Sequence, residues 1–194
     1  FFSSGSSLDR VGVVIEPRAQ WPVGADRLGV PVKGRIAEAE RMLGGRALAR
    51  LTDLGWGGTL RALLETSKAT ADAPAASALV TACVRVLGEW TWAERPVAVV
   101  SVPSRRHPQL IGSVAGGLAE AGRLPYLGAL SLVNGGPNGE PGGNSAYRLS
   151  SVWERFSPES LLPNGALPNG PILLVDDLAD SRWTLTVAAR SLRL

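Results

Sequence analysis

The chain has 194 residues, 45% of them hydrophobic, so it can bury a core and form one domain with a smaller appendage; a disordered chain is excluded. Its single cysteine excludes an internal disulfide and a zinc site made from cysteines of this chain. The net charge of +3 comes mainly from arginine, since only two of the 20 lysine and arginine residues are lysines, and arginine favours forked contacts with phosphate or carboxylate.

This charge pattern is compatible with nucleic-acid binding but does not demand it. No apolar run approaches the roughly 18 residues that a membrane-spanning helix needs. Residues 1–7 also lack the basic region of a secretory signal. A cytoplasmic protein without a membrane partner is therefore expected.

The first third of the chain predicts a small, mostly helical module, residues 1–66, with one leading strand. The β-branched run at residues 11–16 is typical of a strand. Helices are predicted at residues 36–43, 46–54 and 59–65, separated by glycine-rich stops. Residues 67–76 contain few bulky apolar side chains and are predicted to be a linker.

Residues 77–194 predict an α/β domain. A helix capped by Ser77 places Cys83 on its apolar side, and a strand follows at residues 96–102. Pro108 begins a helix that ends at Gly122, with Gly112 and Gly116 expected to allow close approach to a sheet. The series continues with a strand at 124–133, a loop at 134–144, a helix at 145–156, a loop at 163–170 and a strand at 172–175, and it ends with the last helix. This alternation favours a parallel, right-handed sheet flanked by helices.

The strand at 172–175 consists of four apolar residues and is expected to be buried on both faces. Asp176 and Asp177 follow it, and a polar loop at 179–182 leads into the last helix. Ligands bind at the carboxyl edge of such sheets, and exposed amides at a helix N-terminus attract anions. A carboxylate here can accept hydrogen bonds from a ribose diol while the loop holds a phosphate; alternatively, the acids merely complement the helix dipole.

This stretch resembles the signature of type I phosphoribosyltransferases, in which a hydrophobic strand leads into two acids and a loop that binds the 5′-phosphate of PRPP. The resemblance implies a Rossmann-like domain and Mg²⁺ bound together with PRPP. Arg182 and Trp183 stand where the family usually has glycines. The resemblance implies ligand contacts from Asp176, Asp177, Asp180, Ser181 and Thr184, although the last three could instead cap the helix. Arg182 could supply a phosphate contact in place of the missing glycine or point into solvent. The resemblance also implies pyrophosphate or phosphate contacts from Ser104, Arg105 and Arg106. Residues 134–144 correspond to a mobile hood.

Over its whole length the chain resembles the C-terminal region of actinobacterial RecQ-type ATP-dependent DNA helicases. The motifs that carry this resemblance are residues 16–22, 45–57, 105–113, 144–149 and the acid-pair stretch. The chain has no Gly-x-x-x-x-Gly-Lys-Ser/Thr phosphate loop and no zinc cluster. The resemblance implies an accessory domain in DNA repair and recombination, whose partners are the helicase motor domains and DNA.

Possible DNA contacts in the first third are Arg41, Arg46, Arg50, Trp56 and Arg61. A solvated helix face explains these arginines equally well, because acidic residues lie among them. Tryptophans at 21, 56 and 183 are candidates for stacking on bases, although tryptophan is more often a core residue and Trp56 is expected to pack between domains. The only histidine, His107, is expected to have a structural or surface role and not a catalytic one, and Cys83 is expected to be a core residue.

Three functions follow from these patterns. The first is a non-catalytic accessory domain of a RecQ-type helicase that contacts DNA or a partner. The second is a phosphoribosyltransferase or a PRPP-sensing domain, with no catalytic residue assigned. The third is a structural dimerisation domain. DNA binding, PRPP binding with Mg²⁺ and the size of the particle in solution distinguish them.

Overall fold

The computed structural model describes residues 12–64, 72–138, 143–162 and 166–193. The strands are β1 Val13–Ile15, β2 Gly45–Ala47, β3 Ala98–Ser101, β4 Tyr126–Ala129, β5 Ser131–Leu132, β6 Phe156–Ser157 and β7 Ile172–Val175. The α-helices are α1 Trp56–Leu64, α2 Ser77–Gly88, α3 Pro108–Gly122, α4 Ser145–Val152 and α5 Trp183–Ser191. Short 3-10 turns lie at Asp26–Leu28, Glu38–Glu40 and Glu159–Leu161.

A parallel sheet of β4, β3 and β7, in that order, forms the centre of the described structure. β3 is the middle strand and is buried throughout, as expected for a strand covered on both faces. In β7 only Val175 is buried, because β7 has no second neighbouring strand among the described residues. Residues 172–175 do pack against apolar clusters on both faces, as predicted, but β7 is an edge strand and only partly buried; the expected fully buried central strand is β3.

Alternating side chains of the sheet face two apolar clusters, because successive residues of a strand point to opposite faces. On one face α2 and α3 form the Leu118 cluster, which comprises Leu79, Val99, Leu110, Val114, Ala115, Leu118, Ala119 and Val175. On the other face α4 and α5 contribute to the Trp183 cluster, which includes Trp21, Ala25, Val30, Ile36, Val100, Leu149, Trp153 and Trp183. The predicted parallel sheet with flanking helices is confirmed.

The first third differs from its predicted secondary structure. The predicted helix at 36–43 is only the 3-10 turn Glu38–Glu40, and the predicted helix at 46–54 begins instead with β2, which pairs antiparallel with β1. Extended pairing with β1 replaces helical hydrogen bonds there. α1 begins at Trp56, earlier than predicted. Four residues of this third, Trp21, Ala25, Val30 and Ile36, also belong to the Trp183 cluster and so share a core with the sheet. The division into modules stays a prediction.

Several boundaries in the second part also needed correction. The predicted strand at 124–133 is divided into β4 and β5, and β5 pairs antiparallel with β6. The cap of α2 is Ala76 and not Ser77, and α4 ends at Val152 instead of continuing to residue 156. The close glycine of α3 is Gly117, where an added Cβ would lie 2.5 Å from a methyl carbon of Val80. Gly112 and Gly116 have open space beside them.

Within the predicted linker, residues 67–71 lie outside the described residues, whereas Asp72 has a defined structural role. Its carboxylate accepts hydrogen bonds from the backbone N–H groups of Gln109, at 2.6 Å, and Leu110, at 3.3 Å. It thereby satisfies free amides in the first turn of α3. None of the helices in the described part of the chain is long and apolar enough to cross a membrane.

Candidate functional site

The acid pair lies at the carboxyl edge of the sheet, as predicted. β3 and β7 are parallel neighbours with Ser101 opposite Val175, so the loops that follow these strands begin side by side. The Ser104 hydroxyl donates a 2.8 Å hydrogen bond to Asp177 Oδ2 and accepts one from the backbone N–H of His107 at 3.0 Å. Ser104 therefore fixes the orientation of the Asp177 carboxylate.

Asp176 is partly buried and lies beside the equally partly buried Asp177. Its Oδ1 accepts a 2.9 Å hydrogen bond from the Asp177 backbone N–H. Burial, with a further contribution from the negative charge of Asp177, raises the pKa of the Asp176 carboxyl to about 7. The carboxyl is then neutral below this pKa and can donate a hydrogen bond, whereas above it both carboxylates act only as acceptors.

The turn into α5 has the left-handed backbone that a glycine would adopt most easily. Arg182 is the residue before the helix and has φ 65° and ψ 5°. Its guanidinium donates a 2.9 Å hydrogen bond to the backbone oxygen of Glu16. Its own carbonyl oxygen accepts a 2.8 Å hydrogen bond from the Thr186 hydroxyl. The turn is therefore held from both sides even though its residue carries a Cβ.

Trp183, the second residue in a position where the resembled family has glycine, is fully buried. Its ring stacks on Trp21, with centroids 6.0 Å apart and planes 13° apart, and its Nε1 donates to the Ser145 hydroxyl at 2.9 Å. The Arg18 guanidinium lies 4.1 Å from the ring centroid. Neither tryptophan is available to stack on a base, so the alternative of a core role is the correct one for both.

Three arginines from separate parts of the chain converge on the polar loop at residues 180–182. Arg18 Nε donates to the Ser181 carbonyl oxygen at 2.8 Å, and Arg148 of α4 forms a 2.9 Å ion pair with Asp180. Arg182 belongs to the loop itself. Partial burial lowers the pKa of Arg18, and the positive charges of Arg182 and then Arg148 lower it further. We call Arg18, Arg148 and Arg182 the arginine cluster.

Sequence reasoning missed two members of this cluster. Arg18 and Arg148 lie in two of the motifs that carry the helicase resemblance, residues 16–22 and 144–149, but neither has a local pattern that assigns it to a site. The remaining loop residue predicted to contact a ligand, Thr184, lies partly buried in the first turn of α5. Asp180, Ser181 and Arg182 thus lie in the loop and Thr184 in the helix that follows it, and their contact with a ligand stays a prediction.

The two arginines predicted to meet a phosphate or pyrophosphate have different environments. Arg105 donates hydrogen bonds to the backbone oxygens of Gly135 and Pro137, so it is held by the loop that was expected to form a hood. Arg106 is exposed and makes no hydrogen bond or ion pair with the described residues. Residues 139–142 of the expected hood lie outside the described part.

The five predicted DNA-contact residues of the first third fall into separate local environments. The Arg46 guanidinium lies 5.1 Å from the ring centroid of Trp90. The backbone oxygen of Arg41 accepts a hydrogen bond from Arg193, just beyond α5. Arg50, Trp56 and Arg61 lie around the turn before α1, and Trp56 packs against the Leu118 cluster. Contact of these five residues with DNA stays a prediction.

Two other predicted structural residues fit their expected roles. His107 is buried at the start of α3. Cys83 packs against the Leu118 cluster, and burial raises the pKa of its thiol to about 11.

No group of three or more His, Cys, Asp or Glu residues able to hold a metal occurs among the described residues. Asp176 and Asp177 supply carboxylate oxygens at this edge; Mg²⁺ held by one or two carboxylates takes its other oxygen ligands from water and from a bound phosphate ligand such as PRPP.

No protein-family model matches the chain, and neither the curated proteins nor the solved structures contain a match.

Proposed function

We propose that this chain is an accessory region of a RecQ-type ATP-dependent DNA helicase acting in DNA repair and recombination, and that it contacts DNA phosphates without catalysing a reaction itself. The whole-chain motif resemblance supports the helicase context. The observation that carries the DNA contact is the convergence of the arginine cluster on the loop at residues 180–182. Arginine binds phosphate through fork-shaped, charge-assisted hydrogen bonds.

A non-catalytic role is favoured by the way this loop departs from a glycine-rich phosphate loop. In such loops glycine lets several backbone amides close on one phosphate. Here Arg182 occupies the left-handed position and Trp183 fills the core, while the segment bearing Glu16 and Arg18 is hydrogen-bonded to the loop. Phosphate contact is thereby assigned to guanidinium side chains instead of backbone amides.

Binding to labelled single-stranded, forked and duplex DNA, followed by fluorescence anisotropy at several salt concentrations, tests this proposal. Neutralising phosphates releases counterions, so the logarithm of the association constant should fall linearly with the logarithm of salt concentration, by about 0.7 for each contact on a single strand. Absence of binding to all three forms at low salt would contradict a DNA-contact role. Arg106→Gln, which alters an exposed arginine at the same edge, should weaken binding uniformly across sequences.

The second candidate function is PRPP binding by a phosphoribosyltransferase or a PRPP-sensing domain. It is favoured by the oriented carboxylate of Asp177, which Ser104 holds beside Asp176 at the strand exit. Such a pair can accept hydrogen bonds from a ribose diol. Calorimetry with PRPP and Mg²⁺ tests it: binding that is lost in Asp177→Asn and retained in Arg95→Gln supports a sugar site, whereas no heat and no thermal shift argue against it.

A further inference from the structure

The arginine cluster has more hydrogen-bonding capacity than its contacts within the protein use. A guanidinium carries five N–H donors. Arg18 uses Nε for the Ser181 carbonyl, Arg148 uses Nη1 for Asp180, and Arg182 uses Nη1 for the Glu16 carbonyl. Other donors of all three guanidiniums therefore remain for an external acceptor. The internal contacts fix the three side chains to neighbouring loop atoms, which lowers the entropy lost on binding.

Among the described residues, only one of the three guanidiniums in the cluster, that of Arg148, is paired with a carboxylate. Asp180 forms an ion pair with Arg148, and the Asp180 side chain is itself 72% exposed. Arg18 and Arg182 are bound to carbonyl oxygens, which carry no net charge. Glu16 contacts Arg182 through its backbone, and its side chain is exposed. Partial burial lowers the pKa of Arg18, and the positive charges of Arg182 and then Arg148 lower it further; an anion among the three guanidiniums would relieve this repulsion.

We propose that the arginine cluster binds the 5′-terminal phosphate of a DNA strand, so that this edge of the sheet recognises DNA ends. The inference rests on the proposed function and specifies its ligand. A terminal phosphate has three non-bridging oxygens that can be approached from several directions, and it carries a charge of about −1.5 to −2 at neutral pH. An internal phosphodiester has two such oxygens, one negative charge and a sugar on either side. Three guanidiniums from different segments match the terminal group better.

The same phosphate monoester chemistry occurs in a free sugar phosphate, so the experiment needs separate arms. The full chain is titrated against a short single-stranded oligonucleotide, labelled at its 3′ end, that bears either a 5′-phosphate or a 5′-hydroxyl. Charge-assisted hydrogen bonds to the terminal group should make the 5′-phosphate form bind about tenfold more tightly. Ribose 5-phosphate is tested as a competitor and by calorimetry on its own.

Variants assign the preference to the cluster. Arg148→Gln should bring the preference for the 5′-phosphate close to onefold, and Arg148→Lys should retain part of it because the charge remains. Arg95→Gln is the matched control, since Arg95 is exposed and precedes β3, at the opposite edge of the sheet. It should keep the full preference. Circular dichroism and thermal unfolding check that each variant is folded.

Each outcome has a distinct meaning. Equal affinity for the two oligonucleotides would overturn the end-recognition inference but leave a general DNA contact intact. No binding of either oligonucleotide would overturn both this inference and the proposed function. Tight binding of ribose 5-phosphate without oligonucleotide binding would assign the cluster to a small sugar phosphate instead. A 5′-phosphate preference that survives Arg148→Gln would also contradict the assignment to this cluster.

Discussion

Replacing Arg182 tests whether the turn before α5 has the left-handed backbone described above. A residue with a Cβ in this conformation costs about 1–2 kcal/mol, and φ at Arg182 is 65°. Arg182→Gly removes this cost but loses the hydrogen bond to Glu16, about 0.5–1.5 kcal/mol. Glycine also loses more backbone entropy on folding, about 0.5–1 kcal/mol. The net change from arginine to glycine should therefore be close to zero.

Arg182→Ala is the matched control, because it loses the same side-chain contacts and keeps the unfavourable backbone. The difference between the two variants isolates the backbone contribution, and glycine should be more stable than alanine by about 1 kcal/mol. For a chain of this size this corresponds to a difference of about 2–4 °C in melting temperature. Urea and thermal unfolding followed by circular dichroism measure it. An alanine variant as stable as the glycine variant would refute a left-handed turn at this position.

Three further predictions concern the edge and the core. Asp176→Asn should stabilise the protein above pH 7 by about 1–2 kcal/mol and leave it unchanged near pH 4. The reason is that the pKa of the Asp176 carboxyl is raised in the folded state, so the stability of the wild type falls as the pH rises between these values. Urea unfolding at several pH values checks this. Gly136→Ala should destabilise the fold by about 1–2 kcal/mol, because φ is 68° and its Cβ would lie 2.7 Å from the Arg105 guanidinium; thermal unfolding reports the loss. Trp21→Ala should cost about 3–5 kcal/mol, because Trp21 stacks on Trp183 in the core, and unchanged unfolding would contradict that packing.

The second part of the chain was largely predictable because its signals are local. The β-branched run that contains β3 is bounded by Pro96 and Pro103, and Pro108 and Gly122 mark the ends of α3 as predicted. What the apolar runs did not reveal is which strand lies in the middle of the sheet. Three of the four residues of β3 and all four of β7 are apolar, and only their pairing with neighbours distinguishes the central strand from an edge strand.

The first third was misread because its structure depends on distant contacts. β2 is only three residues long and is extended because it pairs with β1. Its sequence neighbourhood has an apolar spacing that also suits a helix, so local pattern could not decide between them. Similarly, Trp21 is buried by Trp153 and Trp183, far away in sequence.

The position of the candidate site was predicted from the sequence, but the positive charge that distant arginines bring to it was not. Asp176 and Asp177 follow a strand and precede a helix in sequence, so their place at the carboxyl edge could be inferred. Arg18 reaches the loop across 163 residues of sequence, and no periodicity indicates such a contact. Trp183 was a departure from the resembled family, and the structure gives a physical reason for it, since its ring fills the core beneath the turn.

The salt dependence of DNA binding by Arg148→Gln tests the central claim most directly, because a lost phosphate contact changes the slope of affinity against salt as well as the affinity. Measured between about 50 and 200 mM salt on single-stranded DNA, the slope should become shallower than that of the wild type by about 0.7. Arg95→Gln should keep the wild-type slope. Identical slopes for the wild type and Arg148→Gln would show that the arginine cluster does not contact DNA phosphate and would contradict the proposed function of this edge.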